Sequence, residues 1–446
     1  MASNHSINFG EPVTYNGKAE SLALKYRRFV CRVTKRDSFT FRWKPLGEDA
    51  QLTSWRPFLC SEVAVDDEAN FLLSCEVNLP EESANEVHEP LDAASSWRIK
   101  KRIVHPGEVN RTRPLNHRIT VSLGDKKDEL EDVSSRCIYL WNWDNQPNRQ
   151  PGERSLSLPD AELKTQCELG EFCLNALTLD SGVSVVGSGG GKEEEGHVAI
   201  WRINHGNMTS SKPKSERDFF RKNISKVEDL SFFSRNEGQE FVTVSTNGEL
   251  TYWDMRDNQA ISGMVEKSHD GADANCVDSC PGNEFFVATG GADGVVKVWD
   301  QRRSAIALHA FAVPQNNEQI YGVQWQKLRG SSADADPSSI LATNSDSGTV
   351  VIWDLRKATA KSRVDVGLVS SGIGCNHAML RHYGLADLKV WELDWSVYGD
   401  NPWLVGNVAG RTPKGSFFRI WEPSVGIRCS PMQQRNAIDK QLLMNE

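Results

Sequence analysis

No stretch of about eighteen apolar residues, the length a membrane-spanning helix needs, occurs in this 446-residue chain. The first ten residues carry neither a basic start nor an apolar run, so no secretory leader is expected. Ten cysteines are present without one Cys-x-x-Cys pair, and Cys276 and Cys280 have no histidine pair nearby. That spacing offers zinc no site, and the thiols read as buried and reduced in an intracellular protein. Positive charge is also short. Against 60 Asp and Glu stand 51 Lys and Arg, a formal net charge of −9, which is not the balance of a chain built to neutralise phosphates. Direct nucleic-acid binding and a membrane role are therefore not expected, whereas basic partners are compatible with the balance.

What the chain does have is repetition. Six short apolar strands end in tryptophan: Ile138 to Trp141, Val198 to Trp201, Leu250 to Trp253, Val296 to Trp299, Val350 to Trp353 and Phe418 to Trp421. Asp-x-Arg follows three of them, at Asp254-Met255-Arg256, Asp300-Gln301-Arg302 and Asp354-Leu355-Arg356. Successive tryptophans are 60, 52, 46, 54 and 68 residues apart. A period near 45, stretched by insertions, is the signature of a WD40 β-propeller with about four strands per blade. Each tryptophan, with roughly 150 to 250 Å² to bury, is read as structural, closing a strand and bridging adjacent blades.

Phe39-Thr40-Phe41-Arg42-Trp43, the runs at Phe58 to Cys60 and Phe71 to Val77, and Ile99 to Val104 make a further blade that lacks the tryptophan signature. The count is seven. First strands of the other six are expected at Val109, Phe172, Val227, Ala274, Ile320 and Val390. Thr246-Asn247-Gly248 and Ala292-Asp293-Gly294 carry hairpin-turn residues. Insertions at about 81–97, 144–165, 205–222 and 357–388 read as surface loops.

Residues 1–16 are polar and aperiodic and are expected to be disordered. Over 17–36, Leu22, Tyr26, Phe29, Val30 and Val33 share one helical stripe, which predicts a flanking helix with Arg27 and Arg28 on its other face. The propeller then occupies 37–428, and a tail of 429–446 could close with a short helix through Ile438, Leu442 and Leu443. The fold class is all-β, a seven-bladed WD40 β-propeller with an N-terminal α-helix and a short C-terminal helix.

Catalytic chemistry finds little support. Gly187 to Lys192 looks like a phosphate loop, but Val186 stands where its first glycine is needed and Glu193 follows the lysine. The run sits between strands of one blade, with no helix N-terminus to hold a phosphate. His269-Asp270 precedes a first strand, where WD repeats commonly lock a turn with histidine. Neither paired carboxylates nor a nucleophile elbow stands out, so no enzyme and no cofactor are expected.

The segment from Ile99 to Arg113, IKKRIVHPGEVNRTR, resembles a highly recognisable stretch of the retinoblastoma-binding, MSI-type WD-repeat family. Val227 to Ser231, Ala274-Asn275-Cys276, Glu284 to Asp293, Leu308 to Phe311, Gln319 to Trp325 and Asn401 to Val405 extend the likeness. It spans roughly 18–425. That family supplies the small histone-binding subunit of chromatin assembly factor, Polycomb methyltransferase, deacetylase and remodelling complexes. The resemblance implies that one narrow face grips the extended tail of a histone, or a basic peptide like it. Matching positions are Glu108, Asn110, Phe172, Glu228, Asn275 and Tyr321, with Gln319 where the family tends to be acidic. Carboxylates ringing a pore mouth attract Arg or Lys, and amides hold an extended backbone. For Asn110 and Asn275 the competing reading is a turn cap between blades.

The family's second site holds a histone helix between the N-terminal helix and an acidic, proline-containing loop of the last repeat. Gly406 to Arg411 replaces a loop that normally carries a glutamate, a departure separate from this second site; here the loop corresponding to the second site, about 357–383, lacks both the acid and the double proline. A groove at Leu22, Tyr26, Arg27, Arg28, Phe29 and Val30 is therefore expected to take a different partner, from another chromatin-complex subunit. Two functions stand side by side: a nuclear histone-binding scaffold, and a non-chromatin adaptor of the ribosome-assembly type, whose Asn-Arg strand is similar.

Overall fold

In the computed structural model the described residues lie between Tyr26 and Pro423. Segments 34–35, 48–53, 65–68, 80–96, 127–134, 165–170, 193–194, 207–215, 223–224, 258–259, 304–305, 313–317, 328–338, 358–377, 384–387, 400–401 and 413–414 are outside that set. The rest forms seven four-stranded antiparallel sheets. Blade 1 comprises Phe41–Trp43, Trp55–Glu62, Asn70–Asn78 and Trp97–His105. Blades 2 to 6 open on Val109–Pro114, Glu171–Thr178, Val227–Phe232, Ala274–Ser279 and Ile320–Trp325. Blade 7 takes Val390–Trp395, Val405–Thr412, Gly415–Pro423 and, from the far end of the chain, Tyr26–Val33. The opening strands touch in sequence from blade 1 to blade 7 and back to blade 1. They therefore ring a common axis, with each first strand where the repeat places it.

The flanking helix is overturned. Tyr26–Val33 is a strand paired with Gly415–Pro423, in the register Phe29 to Trp421, Val30 to Ile420 and Val33 to Phe417. Arg28 pairs with Glu422, and Arg27 is skipped by the register. The segment satisfies both periods: Phe29, Cys31 and Val33 alternate with polar or β-branched neighbours as well as lying on a helical stripe. The unpaired edge of blade 7 decides the matter, because tertiary pairing overrides a weak local preference. The groove expected at Tyr26, Arg27, Arg28, Phe29 and Val30 thus has no helix to line it. Leu22, the 1–16 segment, the tail and loop residues 358–377 lie outside the described residues.

Three smaller expectations also change. Gly187 to Lys192 is part of a strand, Val183–Lys192, where a Cβ on Gly187 would stand 2.7 Å from the Phe232 ring. Gly406 to Arg411 is likewise strand and not loop, and a Cβ on Gly406 would meet the Phe41 ring at 2.0 Å. The insertions at 144–165, 205–222 and 357–388 supply the outer strands Ala161–Leu163, Arg217–Lys222 and Ala378–Tyr383. Before reaching Ala161, the chain runs along the edge of Trp97–His105. Arg149 and Ser157 donate their amides to Arg102 O (3.1 Å) and Val104 O (3.0 Å), while Asn148 Oδ1 and Ser157 Oγ accept the amides of Arg102 and Val104. An exposed edge is thereby covered.

Within the blades the tryptophans behave as structural residues. Trp141, Trp253, Trp299 and Trp353 donate Nε1–H to Ser122, Thr243, Thr289 and Thr343 on the second strand at 2.8 to 2.9 Å. Trp421 donates to Asn407 Oδ1. In blade 5 the chain of bonds continues from Thr289 Oγ1 to His269 Nε2 (2.8 Å), and from His269 Nδ1 to Asp293 (3.0 Å). That is the histidine lock anticipated at His269, and Asp293 sits in a turn that needs Gly294 at φ 73°. Trp201 differs: its Nε1 is buried without an acceptor, and the Ser188 hydroxyl on the second strand donates to Cys173 O.

The axis is ionic. An opening strand has no ladder partner on its inner edge, so its amides must find acceptors elsewhere. Carboxylates of the preceding blade supply them: Asp229 to Val277 N, Asp278 to Trp325 N, Glu392 to Phe41 N and Asp394 to Trp43 N, at 2.8 to 3.1 Å. Cations balance the acids. Arg42 bonds Glu392 (2.5 Å) and Asp394 (3.1 Å), Arg113 bonds Glu392 (2.9 Å), and Lys327 bonds Asp394 (2.9 Å). Burial pushes Glu392 up, but Arg42, Arg113 and Arg111 outweigh it and hold the carboxyl at about 2. Asp278 has no such escort: burial raises it to about 6 against the pull of Lys327.

Two measurements check this account. Trp353→Phe should cost about 1 kcal/mol more stability in chemical denaturation than Trp201→Phe, since only the first breaks a buried hydrogen bond; equal costs would refute the assignment. Asp278 binds its proton more tightly in the folded state, so its contribution to stability falls as pH rises from about 4 to about 6. Relative to wild type, Asp278→Asn should therefore gain stability across that window, on the order of 2 to 3 kcal/mol at 1.36 kcal/mol per pKa unit. A gap independent of pH would contradict it.

Candidate peptide-binding rim

Six of the seven opening strands begin with the same irregularity. The register to the second strand jumps between Val109 and Arg111, Glu171 and Cys173, Val227 and Asp229, Ala274 and Cys276, Ile320 and Gly322, and Val390 and Glu392. The skipped residues are Asn110, Phe172, Glu228, Asn275, Tyr321 and Trp391. A β-bulge leaves its extra residue out of the ladder and re-aims that side chain. All six are half-buried. Five are residues that the sequence nominated, and the structure gathers them into one tier around the axis.

A second tier stands two residues earlier: Glu108, Lys226, Asp273, Gln319 and Lys389. Its backbone is fixed, because Lys226 O, Asp273 O, Gln319 O and Lys389 O accept amides from Thr246, Ala292, Asp346 and Gly410 at 2.7 to 3.2 Å. Glu108 and Gln319, the other two nominated residues, belong here. Every residue nominated for the tail site therefore lies at one end of the axis.

The tiers interact. Lys226 Nζ sits 3.4 Å from the centre of the Phe172 ring and 2.9 Å from Glu228 Oε1. Lys389 Nζ sits 3.2 Å over the Tyr321 ring and 4.5 Å from that of Trp391, and Phe39 packs edge-on against Trp391 at 5.2 Å. Tyr321 donates its hydroxyl to Gln319 Oε1 (2.9 Å), and its phenol is raised by burial, then by Asp346 and Glu228. Burial lowers Lys389. Asn275 Nδ2 donates to Ile320 O of the next blade at 3.0 Å, which is the inter-blade cap weighed above. Glu108 and Asn110 have no side-chain hydrogen bond or ion pair among the described residues.

Sequence reasoning missed Lys226, Asp273, Lys389 and Trp391. Aligning the repeats on their first strands would have found them, since each holds a position already nominated in another blade. Phe39 was read only as part of a strand. The opposite end of the ring carries a cavity of about 560 Å³ lined by Arg235, Asn236, Glu284, Phe285 and Arg302 among others. Its guanidiniums are already matched, Arg235 with Glu240 and Arg302 with Asp300, so it offers a ligand little free charge.

Comparison with known proteins agrees with the architecture. The WD domain, G-beta repeat family matches residues 263–300, the stretch that holds the Trp299–Thr289–His269–Asp293 chain. The WD-40 repeat-containing protein MSI4 of Arabidopsis thaliana is 28% identical over 423 residues, covering 87% of this chain and 77% of that protein. The ribosome biogenesis protein YTM1 of Coprinopsis cinerea is 29% identical over 130 residues, 29% of this chain and 27% of its own length. The chain is thus a seven-bladed WD-40 repeat propeller that is similar to MSI4 over most of both chains.

Proposed function

We propose that the protein is a scaffold subunit of nuclear chromatin complexes that holds a basic extended peptide, such as a histone tail, against the bulged rim. The observation that carries this reading is the ring of bulges, which displays carboxylate, amide and aromatic side chains toward one mouth. Glu108 and Glu228 supply charge for Arg or Lys, Asn110 supplies an amide, and Phe172 and Tyr321 supply flat apolar walls. Likeness to an MSI protein supports the chromatin setting. The partial likeness to YTM1 favours a second reading, an adaptor in ribosome assembly.

The test is calorimetric titration with an arginine-rich histone-tail peptide. Affinity should fall as salt is raised from about 50 to 300 mM, since exposed charges are screened over about 8 Å at physiological ionic strength. Glu108→Gln with Glu228→Gln should weaken binding about five- to tenfold and leave the melting temperature nearly unchanged, as surface changes usually cost within about 0.5 kcal/mol. Undiminished binding by the folded double variant would count against the rim. Capture from nuclear extract separates the settings: histones and chromatin-complex subunits support the first, ribosome precursors the second.

A further inference from the structure

The rim is already occupied, and by the chain itself. Lys226 and Lys389 hold equivalent places, each two residues before the bulge of its blade. Each lays its ammonium on the bulged aromatic of the preceding blade, Phe172 at 3.4 Å and Tyr321 at 3.2 Å. The faces of those rings are where an incoming cation would settle. The carboxylate nearest the first seat is also engaged, since Lys226 Nζ stands 2.9 Å from Glu228. Burial lowers Lys389, so its seat is partly dry, and dry seats strengthen cation–ring attraction. At the second seat Trp391 adds a further ring at 4.5 Å, and its indole N–H is buried with no acceptor.

We propose that Lys226 and Lys389 are internal competitors that mimic the ligand's cationic side chains and set the threshold for peptide binding at the mouth. The proposal rests on the reading of the rim as a peptide site and adds its regulation. A tethered ammonium acts at an effective concentration in the millimolar range, so a single ligand cation displaces it poorly. A tail presenting two cations at the spacing of the seats gains both exchanges within one binding event. The rim therefore discriminates against isolated basic residues and against tails with one suitably placed charge. Neutralising either lysine, as acetylation does, would lower the threshold.

Two probes separate this proposal from the reading beneath it. The first is tetramethylammonium, followed by NMR on ¹³C-labelled aromatic rings, which reports a bare cation seat whether or not a peptide binds. The second is the arginine-rich peptide used above. In Lys226→Ala/Lys389→Ala the Phe172 and Tyr321 rings should respond at concentrations at least about tenfold lower than in wild type, and the peptide should bind about tenfold tighter. Lys226→Arg/Lys389→Arg should stay blocked. Lys267→Ala, which removes an exposed lysine from the loop entering blade 5, should change peptide affinity less than twofold, so general charge is controlled. Rings that respond in the alanine variant while no protein binds peptide would uphold the seats and overturn the peptide reading. Equal ring responses in wild type and variant, or a gain matched by Lys267→Ala, would overturn the internal competitors.

Discussion

A sheet whose innermost strand faces an axis has amides there that no neighbouring strand can satisfy, and seven such edges converge in this molecule. The chain meets the constraint with charge. Asp229, Asp278, Glu392 and Asp394 each reach forward one blade to accept a backbone amide, so the acids bind blade to blade in one rotational sense. Having been buried, they need cations, and Arg42 and Arg113 answer across the seam between the last blade and the first two. Removing one partner of such a pair typically costs about 3 to 5 kcal/mol, far more than a surface ion pair contributes. The ionic axis is therefore a condition of ring closure before it is anything else.

The rim inherits its geometry from the same strands. Where an opening strand enters the sheet, a bulge frees one side chain from the ladder, and six blades repeat the device. Because the axis below fixes the strands, the tier above presents its side chains at set angular intervals. Chemistry then varies freely: amide in blades 2 and 5, carboxylate in blade 4, aromatic ring in blades 3, 6 and 7. Fold and recognition are thus separable. Glu392 cannot lose its carboxylate without stranding the buried Arg42 and Arg113, whereas the bulged positions can change.

Much of this was legible in the residues. The tryptophan strands announced the blades because a large aromatic closing an alternating run leaves few other structures open, and the opening strands fell where the period required. The nominated rim residues came together because they share one register position in successive repeats. Tyr26–Val33 was illegible, since eight residues with Phe29, Val30 and Val33 fit a helical and a strand period alike, and the deciding partner, Gly415–Pro423, lies at the far end of the chain. The axial acids were hidden for a related reason. A charged residue in a strand ordinarily reads as solvent-facing, and Glu392 is explained only by Arg42, Arg113 and Phe41 in other blades. Lys226 likewise gains meaning only from Phe172, one repeat away.

The pairing of Tyr26–Val33 with Gly415–Pro423 has a consequence for biosynthesis. On the ribosome the first of these strands emerges nearly a full chain length ahead of the second, so it must wait with its backbone unpaired while six blades are made. Blades 1 to 6 can collapse as they appear, each on its neighbour, but the ring cannot lock until the last strand is released. Such long-range pairing is slow and leaves edges exposed in the interval. The nascent protein therefore passes through an open, crescent-shaped stage in which both ends offer strand edges to other chains. Those edges are covered only once Gly415–Pro423 has emerged and paired with Tyr26–Val33.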